Sequence, residues 1–325
     1  MRMPRDAGSF AAIGLWILAC GGGSSPKAPT PATSPIPASA ARNLARAPLH
    51  AARVNTTTLA YRLVGDSGAP VIVFVHGSLG DIGDWDAQVA PFAQHYRVLT
   101  YSRRYHPPNP VVNDTQAYSP KLHAEDLAAL LLSLDLAPAH VVGASYGAYT
   151  ALELALEHPE LVRSLVLAEP PIMPLLTRTP PGDSVRRAFF MNTLDPARRA
   201  FTAGDSVAGV RLFVDGDNGI RRFDNLSTAA RADMLAHAFE LRREMLTSRE
   251  EYLPPVSCPD LSRLRTPVLL LTGERSSRVF RMITDELARC LNGDTTIVIP
   301  GAGHAMHSAN PAYYNQTVFR FLVTH

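Results

Sequence analysis

The 325-residue chain reads as an α/β protein built on a mostly parallel, doubly wound sheet. Three observations predict this. Short apolar, β-branched runs alternate with helical patterns along most of the sequence. One Gly-x-Ser-x-Gly stretch falls where a strand gives way to a helix. A long Arg- and Ala-rich interval interrupts the alternation once.

In chain order, Val54 to Val64 reads as one or two leading strands, Val71 to Val75 as a buried strand and Tyr96 to Tyr101 as the next, with a helix over Asp84 to Gln94 between them. Lys121 to Leu134 carries Leu122, Leu127, Leu130, Leu131 and Leu134 at helical spacing behind Pro120, a residue suited to a helix entrance. His140 to Gly143 is a strand, Tyr146 to His158 a helix stopped near Pro159, and Ser164 to Ala168 a strand. The ladder resumes at Val268 to Thr272 and closes with a strand over Thr295 to Ile299 and a helix over Pro311 to Leu322. The interval from Pro170 to Pro267 has helical patches such as Thr228 to Thr247 and no convincing strand. It is expected to be a helical cap over residues 171–262, inserted between the sixth and seventh strands at the sheet edge where pockets form.

Composition bounds the rest. With 46% hydrophobic and 18% charged residues, the chain can bury a full core, and residues 50–325 are expected to form one catalytic domain. A net charge of +2 without a long basic run argues against nucleic acid as a partner. Met1 to Arg5 is basic and Phe10 to Ala19 is apolar, too short for a span that needs about twenty residues. Ile17-Leu18-Ala19-Cys20 resembles the bacterial lipobox, which implies a leader over 1–19, lipid attachment at Cys20, and an exported chain anchored to a membrane. Residues 20–49, rich in Gly, Ser, Pro and Ala, carry too few large apolar groups to offset ordering entropy and read as a disordered tether. Cys258 and Cys290 are then left either to pair or to stay buried thiols, which spacing does not decide.

The chemistry centres on Val141-Val142-Gly143-Ala144-Ser145-Tyr146-Gly147-Ala148. A serine between strand and helix sits on a strained turn that projects its hydroxyl, and small flanking residues let the two elements approach. Upstream, a strand ends in Val75-His76-Gly77-Ser78-Leu79-Gly80. Downstream, the last strand runs into Ile299-Pro300-Gly301-Ala302-Gly303-His304. A neutral imidazole at His304 suits proton transfer to and from Ser145 near pH 7. His307, three residues on, reads as a supporting or exposed residue, and His76 as a structural histidine of its loop.

On these residues the chain resembles the α/β-hydrolase superfamily over roughly 54–325. The resemblance implies a serine hydrolase with Ser145 as nucleophile, His304 as base, the backbone N–H groups of Ser78 and Tyr146 as oxyanion hole, a small-molecule substrate and no cofactor. The orienting acid departs from the common pattern: after Val268 to Thr272, relatives usually read Gly-x-x-Asp, whereas Gly273-Glu274-Arg275-Ser276 places a serine there. Glu169, Glu274 and Asp285 are the candidates. Glu169 is preferred, because Glu169 to Pro174 resembles haloalkane dehalogenases that carry their acid after this earlier strand; Glu274 is the alternative.

Hydrolysis of a small carboxylic ester leads among the chemistries. Carbon–carbon bond hydrolase, aminopeptidase and peroxidase-like activity, or a non-catalytic lipid-anchored binding protein, stand behind it. Dehalogenation and epoxide hydrolysis are disfavoured because the elbow carries serine rather than aspartate. Cys/His spacing offers no zinc site, and Asp215 to Gly219 is too short for a calcium loop. Arg103 and Arg104 read as guanidinium groups packing the cap, and Tyr105, Tyr118 and Tyr149 as pocket wall or core. Oligomeric state is left open.

Overall fold

A computed structural model describes residue 44 and residues 47–325, except 113, 219–221 and 292–295. Cys20, the leader over 1–19 and nearly all of the tether over 20–49 lie outside these residues.

Eight strands, β1 (His50–Val54), β2 (Thr57–Val64), β3 (Val71–Val75), β4 (Arg97–Tyr101), β5 (Ala139–Ala144), β6 (Val162–Ala168), β7 (Val268–Gly273) and β8 (Thr296–Ile299), form one sheet in the order β1-β2-β4-β3-β5-β6-β7-β8. β1 and β2 are antiparallel, as are β2 and β4; the other pairs are parallel. The leading segment is thus two strands. Asn55, with φ 48°, turns the hairpin between them, a left-handed conformation that asparagine tolerates.

Outside the insertion, four helices flank the sheet: α1 (Asp86–Phe92), α2 (Pro120–Ser133), α3 (Tyr146–Glu157) and, after β7, the helix Arg278–Cys290; the C-terminal helix Pro311–Leu322 completes the layers. Strand side chains alternate between two cores, as a period of two requires. Val73, Val141, Leu165 and Leu270 face one apolar cluster with Leu127 and Leu131 of α2 and Leu152 of α3. Ile72, Phe74, Val142, Val166 and Leu271 face the other, with Phe92 of α1 and Tyr314 and Phe319 of the C-terminal helix. Because both faces are covered, β3, β5, β6 and β7 are almost wholly buried, which explains the apolar runs over Val71–Val75, 165–168 and 268–271.

Between β6 and β7 the chain is helical: Pro180–Phe189, Asp195–Thr202, Ser206–Asn218, Thr228–Ala236 and Ala238–Leu246, with shorter turns before and after. The helical patch over Thr228 to Thr247 is two helices rather than one, divided at the buried His237. A disulfide joins Cys258, where the insertion ends, to Cys290 at the end of the helix after β7, with Cα atoms 4.8 Å apart.

β3 is the switch point of the sheet: the chain moves outward to β4 on one side, then returns to lay β5 on the other. In-register pairing of Val75 with Gly143, Ala144 with Ala168, Ala168 with Leu271, and Gly273 with Ile299 brings the carboxyl ends of β3, β5, β6, β7 and β8 to one edge. The crevice outside such ends is where ligands bind in open α/β sheets.

Candidate active site

Ser145 stands between β5 and α3 with φ 53° and ψ −124°, a conformation an L-residue holds only under constraint. The constraint is packing. A Cβ on Gly147 would lie 2.2 Å from the Val75 carbonyl oxygen and 2.4 Å from that of His76, and one on Gly143 would lie 2.5 Å from the Gly147 carbonyl oxygen. α3 therefore presses directly on the ends of β3 and β5. The Ser145 N–H is held by the Ala168 carbonyl at 2.8 Å, so the turn is tied to the neighbouring strand as well.

Glu169 follows β6 with φ 49° and is completely buried. Its Oε2 lies 2.6 Å from His304 Nδ1, while Oε1 accepts from Thr272 Oγ1 at 2.6 Å and from the Gly273 N–H at 2.9 Å. Burial alone would raise the Glu169 pKa; the hydrogen bond and charge of His304, together with the Ser276 and Thr272 hydroxyls, outweigh it and bring the value below the ordinary one. An ionised Glu169 holds the imidazole proton on Nδ1 and leaves the ring lone pair on Nε2. Phe280 stacks on the His304 ring at 4.0 Å and lines the same cleft as Ser145.

The other two carboxylates considered from the sequence lie elsewhere. Glu274 is exposed, and its Oε2 accepts from the Gly301 N–H at 2.6 Å; Asp285 is exposed on the helix after β7. Ser276, where the resemblance led to an expected aspartate, is buried near Glu169. His307 is mostly buried, its ring 4.4 Å from that of Trp85, and its pKa is pushed down to about 4 by burial.

The loop after β3 is held from beneath. His76 Nδ1 donates to the Gly77 carbonyl at 2.9 Å and Nε2 accepts from the Arg103 N–H at 2.9 Å, so both ring nitrogens serve the loop. Burial, then the nearby Arg103 charge, keeps His76 neutral. Arg103, expected to pack the insertion, makes its side-chain hydrogen bonds to the loop and to Tyr118, with Glu244 of the insertion near enough to act on its charge. It is fully buried under this loop and donates to the His76 and Gly77 carbonyls and to the Tyr118 hydroxyl, each at 2.9 Å. Arg104 is buried in an ion pair with Asp126 at 2.6 Å. Tyr105, Tyr118 and Tyr149 are core.

Above the loop, Glu244 from helix Ala238–Leu246 accepts from Ser78 Oγ at 2.7 Å and from the Tyr252 hydroxyl at 2.6 Å. It is fully buried, and burial pushes its pKa up to about 7. Sequence reasoning passed over Glu244, although one signal was present: Glu240 and Glu244, four apart, share a helix with buried Leu241 and Met245.

Ser145 and Ser78 open onto a narrow cavity of about 20 Å³, lined otherwise by Pro171, Met173, Phe189, Leu194, Phe213, Tyr252, Leu253 and Phe280. A larger surface groove of about 450 Å³ near Glu153 and Arg263 contains none of these groups and is remote from the chemistry. Among the described residues, His106, His237 and Glu240 bring ligand-type atoms within 4.8 Å of one another. However, His106 Nδ1 donates to the Gly80 carbonyl at 2.8 Å, its Nε2 accepts from the Tyr118 hydroxyl at 2.9 Å, and His237 Nδ1 meets Glu240 at 2.6 Å. Three of the four ring nitrogens are committed in this way, with His237 Nε2 3.9 Å from Asp81, and the cluster fastens the insertion to the loop.

The described geometry is that of the α/β-hydrolase fold, and a family model described as "Alpha/beta hydrolase family" matches residues 72–317. The chain belongs to that family. It is similar to the mouse (Mus musculus) sn-1-specific diacylglycerol lipase ABHD11, 30% identical over 280 residues that cover 81% of this chain and 85% of that protein. The uncharacterized hydrolase YraK of Bacillus subtilis is 36% identical over a shorter 107 residues, 33% of this chain and only 40% of YraK. Among solved structures, the carboxylesterase CesB of Bacillus subtilis shares the fold with a TM-score of 0.67 at 19% identity, over 88% of this chain and 96% of that one.

Proposed function

We propose that this protein is a serine hydrolase that cleaves small carboxylic esters through an acyl-enzyme. The observation that carries the reading is the Glu169–His304 contact at 2.6 Å, beside a serine held at positive φ between strand and helix. Ser145 Oγ attacks the ester carbonyl while His304 Nε2 takes the hydroxyl proton; Glu169 keeps the imidazole in the required tautomer and stabilises its cation. The negative oxygen of the tetrahedral intermediate is received by the backbone N–H groups of Ser78 and of Tyr146, the latter at the first position of α3, where helix N–H groups have no intrahelical partner. Collapse expels the alcohol, which takes its proton from His304. Water, deprotonated by His304, then attacks the acyl-enzyme carbonyl and restores the Ser145 hydroxyl.

The apolar cleft suits an uncharged acyl group, and its relative ABHD11 is named as a lipase. Labelling with a fluorophosphonate tests the proposal. An adduct on Ser145 that disappears in His304→Ala is expected; no adduct, or one indifferent to His304, overturns it.

We also propose that the chain is exported and lipid-anchored through Cys20. The Cys258–Cys290 disulfide supports this, since such bonds persist in oxidising compartments. Cys20→Ser should move the protein from the membrane to the soluble fraction. Unchanged membrane association would count against the anchor.

A further inference from the structure

Ser145 apart, the lining residues whose side chains bear an oxygen are Ser78 and Tyr252; the other lining side chains are hydrocarbon, apart from the thioether of Met173. Each hydroxyl has one proton to give. Both protons point at the same acceptor, Glu244 Oε1, at 2.7 Å from Ser78 Oγ and 2.6 Å from the Tyr252 oxygen. Glu244 does not form part of the wall; it is fully buried behind it. With Glu244 ionised, above its pKa of about 7, what the two hydroxyls have left for a ligand is therefore oxygen lone pairs.

The wall is also preset. The Tyr146 hydroxyl donates to the Tyr252 carbonyl at 3.0 Å, and the two rings stack at 5.3 Å with planes 8° apart. Tyr252 is thus fixed to the residue that follows the nucleophile, and Ser78 is itself the residue whose backbone N–H is assigned to the oxyanion. A group received by these oxygens must lie close to the reacting carbonyl.

Resting on the ester-hydrolase reading above, we propose that the preferred substrates are esters bearing an O–H or N–H donor next to the scissile carbonyl, such as 2-hydroxy or 2-acylamino esters, with the donor received by Ser78 Oγ and the Tyr252 oxygen. An alkyl substituent there leaves two desolvated lone pairs without a partner, and an ether oxygen sets lone pair against lone pair. Sites built to receive a polar hydrogen discriminate against analogues that lack it.

Three chromogenic esters, assayed at about pH 8 where Glu244 is ionised, test this: p-nitrophenyl 2-hydroxybutanoate, 2-methoxybutanoate and butanoate. The methoxy compound retains the inductive activation of the hydroxy compound but has no donor. The wild-type chain is expected to favour hydroxy over methoxy by about tenfold or more in kcat/KM. Glu244→Gln keeps a carbonyl acceptor for both hydroxyls and should keep the preference. Glu244→Met frees the hydroxyl protons and should bring the ratio to one or invert it, and Tyr252→Phe should reduce it with Glu244 in place. A wild-type ratio near one, or a preference that survives both Glu244→Met and Tyr252→Phe, overturns the proposal. If none of the esters is turned over, or turnover survives Ser145→Ala, it is the ester-hydrolase reading that fails instead.

Discussion

Replacing Glu169 by glutamine tests the geometry at its most particular point. Both carboxylate oxygens face donors: Oε2 faces His304 Nδ1, and Oε1 faces Thr272 Oγ1 and the Gly273 N–H. A glutamine must turn its NH₂ toward one side or the other. Toward the backbone N–H of Gly273, which cannot reorient, it would set donor against donor in a fully buried place. Toward His304 the conflict is relieved by moving the imidazole proton from Nδ1 to Nε2. The second arrangement should prevail, and it removes the lone pair that accepts the Ser145 proton in the proposed mechanism. Loss of the working tautomer costs about 10⁴ in rate, or roughly 5.5 kcal/mol of transition-state stabilisation. The assay is kcat/KM on a small p-nitrophenyl ester, with urea unfolding run in parallel so that activity is compared at matched folding. Glu274→Gln is the control: its carboxylate is exposed and engages Gly301, so a change below threefold, about 0.7 kcal/mol, is expected. A loss below tenfold in Glu169→Gln, or an equal loss in Glu274→Gln, would refute the reasoning.

Other outcomes follow from packing, linkage and covalent structure. Gly147→Ala drives a Cβ to within 2.2 Å of the Val75 carbonyl oxygen, so a destabilisation of about 3 kcal/mol or more is expected in urea unfolding; Gly303→Ala, with nothing within 4 Å of its new methyl, should stay within about 0.5 kcal/mol. Equal midpoints for the two would contradict the close approach of α3 to β3. Glu244 has a folded pKa of about 7 against an ordinary 4.5, so the folded state holds a proton that the unfolded chain has lost; its stabilising contribution is full below about pH 4.5 and is lost as pH rises to 7. Between pH 5.5 and 8, Glu244→Gln should therefore gain on the wild type by roughly 2 kcal/mol, and a pH-independent difference would exclude the raised value. The Cys258–Cys290 bond closes a sequence separation of 32 residues, for which chain entropy gives roughly 3–4 kcal/mol. Dithiothreitol should lower the urea midpoint of the wild type and leave a Cys258→Ala, Cys290→Ala double variant unmoved; an insensitive wild type would show that the bond does not support the fold.

Much of the architecture was legible because its causes are local. Apolar runs of strand length, Pro120 before a helix, and small residues around Ser145 act over a few residues, and the elements formed within a few residues of where periodicity put them, apart from the leading hairpin and the divided patch over Thr228 to Thr247. The order of loops carrying Ser78, Ser145, Glu169 and His304 follows from a parallel sheet, whose strands all end at one edge. Glycine was less transparent. Beside the His304 loop the crowded position is Gly273, where a Cβ would meet the Gly303 carbonyl oxygen at 2.4 Å, a contact that no local pattern announces.

Sequence alone determined the fold class, the strand–serine–helix junction and the three short-listed carboxylates. Only the tertiary structure decided which carboxylate meets His304, that Arg103 is bonded beneath the loop after β3, and that Glu244 stands behind Ser78 and Tyr252. The physical reason is range. Periodicity and backbone strain are properties of a segment and its neighbours, whereas a hydrogen bond between Glu169 and His304, 135 residues apart, or between Ser78 and Glu244, 166 apart, depends on how separate elements stack and which side chains burial then forces to pair.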